Sequence, residues 1–275
     1  MNTTWNNKYI LITGAGSGIG QALARLFASQ GAKLILTDIN TDNLTDTAKA
    51  LGSSVLIYKT ANVTEKSDWQ ALAKEITTKA GQLDVLVNNA GMTSFGFFNE
   101  TSEALFNKVM YVNLNGFVMG CREMLPLLEN SPRGMIVNVA SIFGLITMPM
   151  VTPYHASKFA VRGFTEALKQ DMVFLKKNID VICVMPGGIR TNIANYAETE
   201  CKHPKDFAQH FAKIARTTPE QAAKTIERGM RKNTFRVLIG ADAKVVDWLY
   251  RLLPTNYCKV SNRLLGVQRF LKQST

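Results

Sequence analysis

The chain has 275 residues, 46% hydrophobic and 19% charged, a balance that suits a folded protein with a substantial core and excludes a disordered one. No run approaches the roughly 18 consecutive apolar residues of a membrane span, and the N-terminus reaches a strand-like segment without a signal-peptide pattern, so a cytoplasmic protein is expected. The formal charge of +11 is unevenly placed: residues 1–200 hold 17 Lys/Arg against 16 Asp/Glu, and residues 201–275 hold 15 against 5.

In chain order, residues 8–13 predict a short buried strand, followed by glycines and a helix over 21–30. A strand at 33–38, a helix at 42–51, a strand at 54–59 and a helix at 65–80 come next. A strand at 85–88 precedes a long helix over 102–128. The remainder predicts a strand at 135–140, a helix over 153–176, a strand at 180–185 and a last strand at 237–240. Strands of four to six apolar, β-branched residues alternating with helices describe a parallel sheet covered on both faces. With no internal repeat or low-complexity linker, a single doubly wound α/β domain is the reading, with ligands at the carboxyl ends of the strands. The four cysteines (Cys121, Cys183, Cys201, Cys258) lack paired spacing and are read as free thiols. Cys201, His203 and His210 match no zinc spacing, and no metal site is expected.

Two constellations carry chemistry. Tyr154 and Lys158 stand four residues apart on the helix predicted over 153–176, on one face, with Ser141 upstream. A fixed ammonium beside a phenol lowers its pKa and makes it usable as an acid or base, and a serine hydroxyl nearby can bond the substrate oxygen. His155 projects to another face and is read as structural. The second constellation is the turn from Thr13 through Gly14, Ser17, Gly18, Ile19 and Gly20, between the first strand and the first helix. Glycines there let the backbone approach a pyrophosphate that faces the positive end of the helix. Asp38 ends the second strand, where a carboxylate accepts from ribose hydroxyls and repels a 2′-phosphate. Neither Thr37 nor Ile39 is basic, so NAD is favoured over NADP.

Taken together and in order over residues 8–195, these motifs resemble the short-chain dehydrogenase/reductase family. The resemblance implies a Rossmann-type domain in which the glycines from Gly14 to Gly20 and Asp38 hold the cofactor, joined by Asn89, Ala90 and Gly91 of the Asn88–Gly91 motif. Pro186, Gly187, Ile189 and Thr191 match the segment on the nicotinamide side. Asn62 and Val63 stand where the family often has an aspartate and a small apolar residue; an asparagine there can accept from or donate to the adenine edge. Asn113, Ser141, Tyr154 and Lys158 match the catalytic positions. By resemblance, Tyr154 is the acid/base, Lys158 lowers its pKa and bonds the nicotinamide ribose, Ser141 orients the substrate oxygen, and Asn113 holds a water near Lys158. The implied activity is hydride transfer between NAD(H) and a secondary alcohol or ketone.

Residues 92–98, 142–151 and 193–196 are expected around the substrate, supplying Met92, Phe95, Phe97, Phe98, Phe143, Leu145, Met148, Met150, Val151 and Tyr196. Such a lining suits a hydrophobic small-molecule substrate that is steroid-like, retinoid-like or a long-chain keto compound; the same residues also suit packing of a lid or subunit contact. Residues 1–240 read as the dehydrogenase domain, with a substrate lid around 190–235, and 241–275 as a basic amphipathic extension. That extension fits either an anionic membrane surface or packing on its own domain or a partner. Nucleic acid is disfavoured, because no binding fold or stacking platform accompanies the charge. Relatives pair through the two long helices, so a homodimer or homotetramer is expected. Two alternatives stay open: an NADP-dependent 3-ketoacyl-type reductase, and a non-catalytic cofactor-sensing protein on the same fold.

Overall fold

Strand β1 (Tyr9–Thr13) sends Ile10 and Ile12 into one buried cluster and Leu11 into another. Alternate side chains point to opposite faces, so a strand that is apolar throughout needs cover on both sides. That cover organises the chain. In the computed structural model, which describes residues 4–194, 196–200, 215–258 and 260, seven parallel strands lie in the order β3-β2-β1-β4-β6-β7-β9. The flanking strands are β2 (Lys33–Asp38), β3 (Val55–Thr60), β4 (Val85–Asn88), β6 (Gly134–Val139), β7 (Ile179–Pro186) and β9 (Arg236–Ile239). This is the single doubly wound α/β domain expected.

On the first face lie α1 (Gly18–Ala28) and α7 (Pro219–Arg231), with Leu23, Phe27, Ile226 and Met230 against the sheet. The second face takes α3 (Lys66–Lys79), α5 (Gly116–Glu129) and α6 (Thr152–Phe174), through Trp69, Ile76, Met124, Leu128 and Met172. Helix α2 (Thr41–Leu51) follows β2. Helix α8 (Ala241–Leu252) lays Leu249 into a third cluster with Phe117, Val161 and Met185, which Tyr257 also joins.

Three differences from the sequence reading matter. The helix expected over 102–128 is split into α4 (Glu103–Met110), a π turn at Tyr111–Asn115, and α5. The turn coincides with Asn113, whose side chain is tied outside the helix, and single π turns recur where a functional side chain must be re-aimed. A small parallel ladder of β5 (Ser94–Phe95) and β8 (Glu198–Thr199) was not expected; it joins the first segment assigned to the substrate to the chain just past the third. Helix α7 was also missed, although Thr218 and Gln221 form a capping box around Pro219 at the first helical position, a start signal present in the sequence.

Candidate active site

Strand order reverses direction at β1 and β4, and the crevice beyond their carboxyl ends holds a cavity of about 510 Å³. Its floor is backbone. Thr13 Oγ accepts the amide protons of Asn89 and Ala90, both at 2.9 Å, which ties the ends of the two strands together. Asn89 Nδ2 donates to the Thr13 carbonyl at 2.9 Å and to that of Gly14 at 3.3 Å. Gly14 and Gly18 take left-handed φ values of 65° and 54°, which side chains disfavour. At Gly20 a Cβ would lie 2.1 Å from the Gly14 oxygen, so no other residue fits. The N-cap Ser17 makes no side-chain bond to the first turn of α1, and its amides stay open to an anion.

Asp38 ends β2 with its carboxylate already oriented. Its Oδ2 accepts the Gly16 amide at 2.8 Å, and Oδ1 that of Asn40 at 2.9 Å. Two oxygens held this way still have lone pairs for ribose hydroxyls. Asn62 Oδ1 accepts from the Thr64 amide at 3.1 Å and hydroxyl at 2.9 Å; the carbonyl end is spent, and the NH2 group is the end left to meet a base. Of the cofactor residues named from the sequence, all but Gly20 line the cavity. Glycines that close on the backbone, open amides at a helix start and a fixed carboxylate together fit a dinucleotide.

The same cavity contains Ser141, Tyr154 and Lys158. Ser141 lies at the end of β6, where its Oγ accepts the Phe143 amide at 3.1 Å and also meets the Tyr154 phenol. Lys158 is 3% exposed; its Nζ donates to the Val139 carbonyl at 2.9 Å and lies 5.5 Å from the Tyr154 ring centre. Burial pushes the phenol up to about 12, against the opposing Ser141 bond, and pushes the ammonium down to about 8. Burial dominates the Tyr154 value and Ser141 is the group that opposes it; Lys158, expected to lower it, takes no part in that balance.

Asn113 is fully buried behind the cavity wall. Its Oδ1 accepts the Met92 amide at 2.8 Å, and its Nδ2 donates to the Met92 carbonyl and to Ser157 Oγ, both at 2.9 Å. The side chain is therefore spent on position: it clips the chain after Gly91 to helix α6.

The substrate side is apolar, as expected, but not through every residue named. Met92 and Tyr196 line the main cavity; Phe95, Phe143 and Val151 line a recess of about 30 Å³ beside Tyr154. Met148 and Met150 are buried in the cluster behind it, and Phe97 and Phe98 are exposed. Leu145 turns away into the core beside Ala140 and Ile146, which removes it from the lining. His155 is buried and bonded through both ring nitrogens. Cys201, His203 and His210 lie outside the described residues, among which no cluster suited to a metal occurs. No described helix is long and apolar enough to cross a membrane.

Two functional contacts escaped the sequence. Ser157, inside the Tyr154–Lys158 motif, receives the Asn113 amide; its place between the two catalytic positions was the available signal. Asp242, at the start of α8, accepts the Gly188 amide at 2.6 Å. It stands where Cβ atoms on Gly187 and Gly240 would each fall 2.2 Å from its oxygens. Nothing local marks an aspartate 54 residues away as a partner of that loop.

The protein-family description that matches residues 8–202 is short chain dehydrogenase. SadH of Mycobacterium tuberculosis is 39% identical over 273 residues, 98% of each chain. The 3-oxoacyl-[acyl-carrier-protein] reductase FabG of Thermotoga maritima is 38% identical over 187 residues, 67% of this chain and 75% of its own. Among solved structures, a short chain dehydrogenase/reductase from Burkholderia phymatum in complex with NAD superposes with a TM-score of 0.85 at 27% identity, covering 93% of this chain and 97% of its own.

Proposed function

The chain belongs to the short chain dehydrogenase family and is an oxidoreductase, and from that premise we propose that it moves a hydride between NAD(H) and a hydrophobic secondary alcohol or ketone. The observation that carries this reading is that Ser141, Tyr154 and, one helical turn on, Lys158 line one cavity with the glycine turn and Asp38. When bound, the nicotinamide supplies or accepts the hydride.

The protein's own part is positioning and proton transfer. Tyr154 exchanges a proton with the substrate oxygen, and Ser141 Oγ donates to that same oxygen. With the phenol protonated at neutral pH, Tyr154 stands ready as the acid for ketone reduction; alcohol oxidation needs the phenolate and is helped by alkaline pH. Lys158, whose Nζ now bonds the Val139 carbonyl, would hold the nicotinamide ribose. Gly14, Ser17, Gly18 and Ile19 would hold the pyrophosphate, Ile189 and Thr191 the nicotinamide, and Asn62 and Val63 the adenine.

Asp38 supports NAD over NADP, because its carboxylate is held where a 2′-phosphate would be repelled. The similarity to an acyl-carrier-protein reductase favours a second reading, reduction of a carrier-bound ketone. A panel of hydrophobic alcohols and ketones, followed by absorbance with NAD(H) and NADP(H), decides between them. Turnover of an apolar ketone with NADH supports the first reading; activity confined to NADPH and acyl thioesters supports the second.

The subunits pair through α6 and its neighbours, where Val173, Phe174, Leu175 and Tyr111 are exposed. A monomer in light scattering at micromolar concentration would contradict this. Helix α8 presents Val245, Trp248 and Leu252 on one exposed face beside Lys244 and Arg251, and this face contacts anionic membrane. Flotation with anionic vesicles, lost in Trp248→Asp, is the expected result.

A further inference from the structure

One side of the recess beside Tyr154 is formed by Phe143 and Val151, the two ends of residues 143–151, a stretch with no ionisable side chain that begins in a short 3-10 turn at Ile142–Gly144. Met150 adopts φ 69°, the left-handed region that side chains disfavour. The far end of the stretch is anchored by the Gly96 amide, which donates to the Met150 carbonyl at 3.0 Å. Its middle is tied at several points, by Arg162 on the Gly144 carbonyl, Tyr257 on Thr147 and, through two backbone groups at once, His155 beside Tyr154.

The geometry of that tie is specific. His155 Nε2 accepts the Met148 amide at 2.9 Å, and Nδ1 meets the Phe143 carbonyl at 3.1 Å. An amide can only donate and a carbonyl can only accept, so the ring carries its proton on Nδ1 and none on Nε2. The ring is 4% exposed and packs 4.8 Å from the Phe143 ring. One imidazole thus fixes both the backbone and the side-chain plane of a residue that lines the recess.

We propose that His155 is a positioning residue, a clamp that works only as neutral imidazole, fixing Phe143 in the lining of the substrate recess and the stretch from Phe143 to Met148 behind it, and releasing them when the ring takes up a second proton. A protonated ring would oppose an Nε2–H to the Met148 N–H and leave a charge buried without a counter-ion.

The ionisable groups on the surrounding elements already have partners. Tyr154 meets Ser141, Lys158 donates to Val139, and Arg162 pairs with Glu166 and donates to Gly144. Tyr257 bonds Thr147 on the same segment, Cys258 bonds that threonine too, and on α4 Lys108 pairs with Glu198. Burial lowers the His155 pKa below its usual 6.5, partly offset by the backbone bonds. A group depressed in this way stays neutral through the upper range, so the clamp holds above pH 6.5 and is lost as pH falls through the folded value. The clamp stands on geometry alone; that its wall faces a substrate rests on the proposed function.

Hydrogen exchange of the full-length protein tests this without a substrate. Between pH about 7.5 and about 5, after correction for intrinsic rates, wild-type protection across 142–151 should be steady and then fall, by up to about tenfold per pH unit below the folded pKa. His155→Gln retains a donor and an acceptor but does not titrate, and its protection should not change with pH. His155→Phe should lose protection at every pH. Protection that is independent of pH in the wild type, or a fall shared equally by His155→Gln, would overturn the clamp; the wild-type measurement decides even where a variant does not fold. NADH affinity, read by fluorescence, should be unchanged in His155→Gln. Failure of the wild type to bind NADH would count against the proposed function and leave the clamp standing.

Discussion

The two halves of the cavity are held by different physics. The half assigned to the cofactor is made of strand ends and a helix start, closed by main-chain amides, three glycines and the fixed carboxylate of Asp38. The half assigned to the substrate is made of apolar side chains on irregular segments, anchored by the β5–β8 ladder and by scattered side-chain ties from His155, Arg162 and Tyr257. A backbone cradle tolerates almost no change, because hard atoms lie where a new Cβ would go. A side-chain wall tolerates substitution of volume for volume, which lets one cradle serve many substrates.

This contrast can be broken at either half. Tyr154→Phe, at the junction, should lower turnover about a thousandfold while leaving NADH affinity within about twofold, read by fluorescence titration. Gly20→Ala would force a Cβ against the Gly14 carbonyl; a loss of about 3 kcal/mol in denaturant stability is expected, together with loss of NADH binding. Wild-type stability in that substitution would mean the cradle is softer than its distances indicate. With the phenol pushed up to about 12, alcohol oxidation should rise by up to about tenfold per pH unit between about 7 and 9, while ketone reduction stays level; an oxidation rate that plateaus near neutrality would mean the site lowers that value once loaded. Asp38→Ala removes a charged acceptor and should weaken NADH binding by about tenfold while improving NADPH binding. On the other half, Phe95→Leu, in the lining of the recess beside Tyr154, should change KM for an apolar ketone by about threefold or less and leave kcat alone. A larger effect would show that the substrate wall is as exacting as the cradle.

The contrast also explains what could be read from the sequence. Strand β1, the glycine turn and Asp38 were legible because each must satisfy a local rule: buried strands need apolar residues on both faces, and a tight turn into a helix needs glycine. Tyr154 and Lys158 were legible through helical spacing. The split of the helix at Tyr111–Asn115 was not, since its cause is Asn113 binding Met92, 21 residues earlier. Leu145 was misplaced because an apolar residue in an irregular segment carries no mark of which cluster it joins. The direction of the Tyr154 shift was not legible, because a sequence shows a neighbouring charge but not the burial that governs the phenol. His155 was correctly read as structural, but which backbone groups it ties became visible only once the segment from Phe143 to Met148 had folded back onto it.

Asp242 makes helix α8 part of the frame around the cavity. Its carboxylate occupies a notch that only Gly187 and Gly240 can leave open, and it accepts the Gly188 amide at 2.6 Å. The start of α8 and the loop from Pro186 to Thr191 thus share one fastening, and the loop's shape depends on a residue that lines no part of the cavity itself.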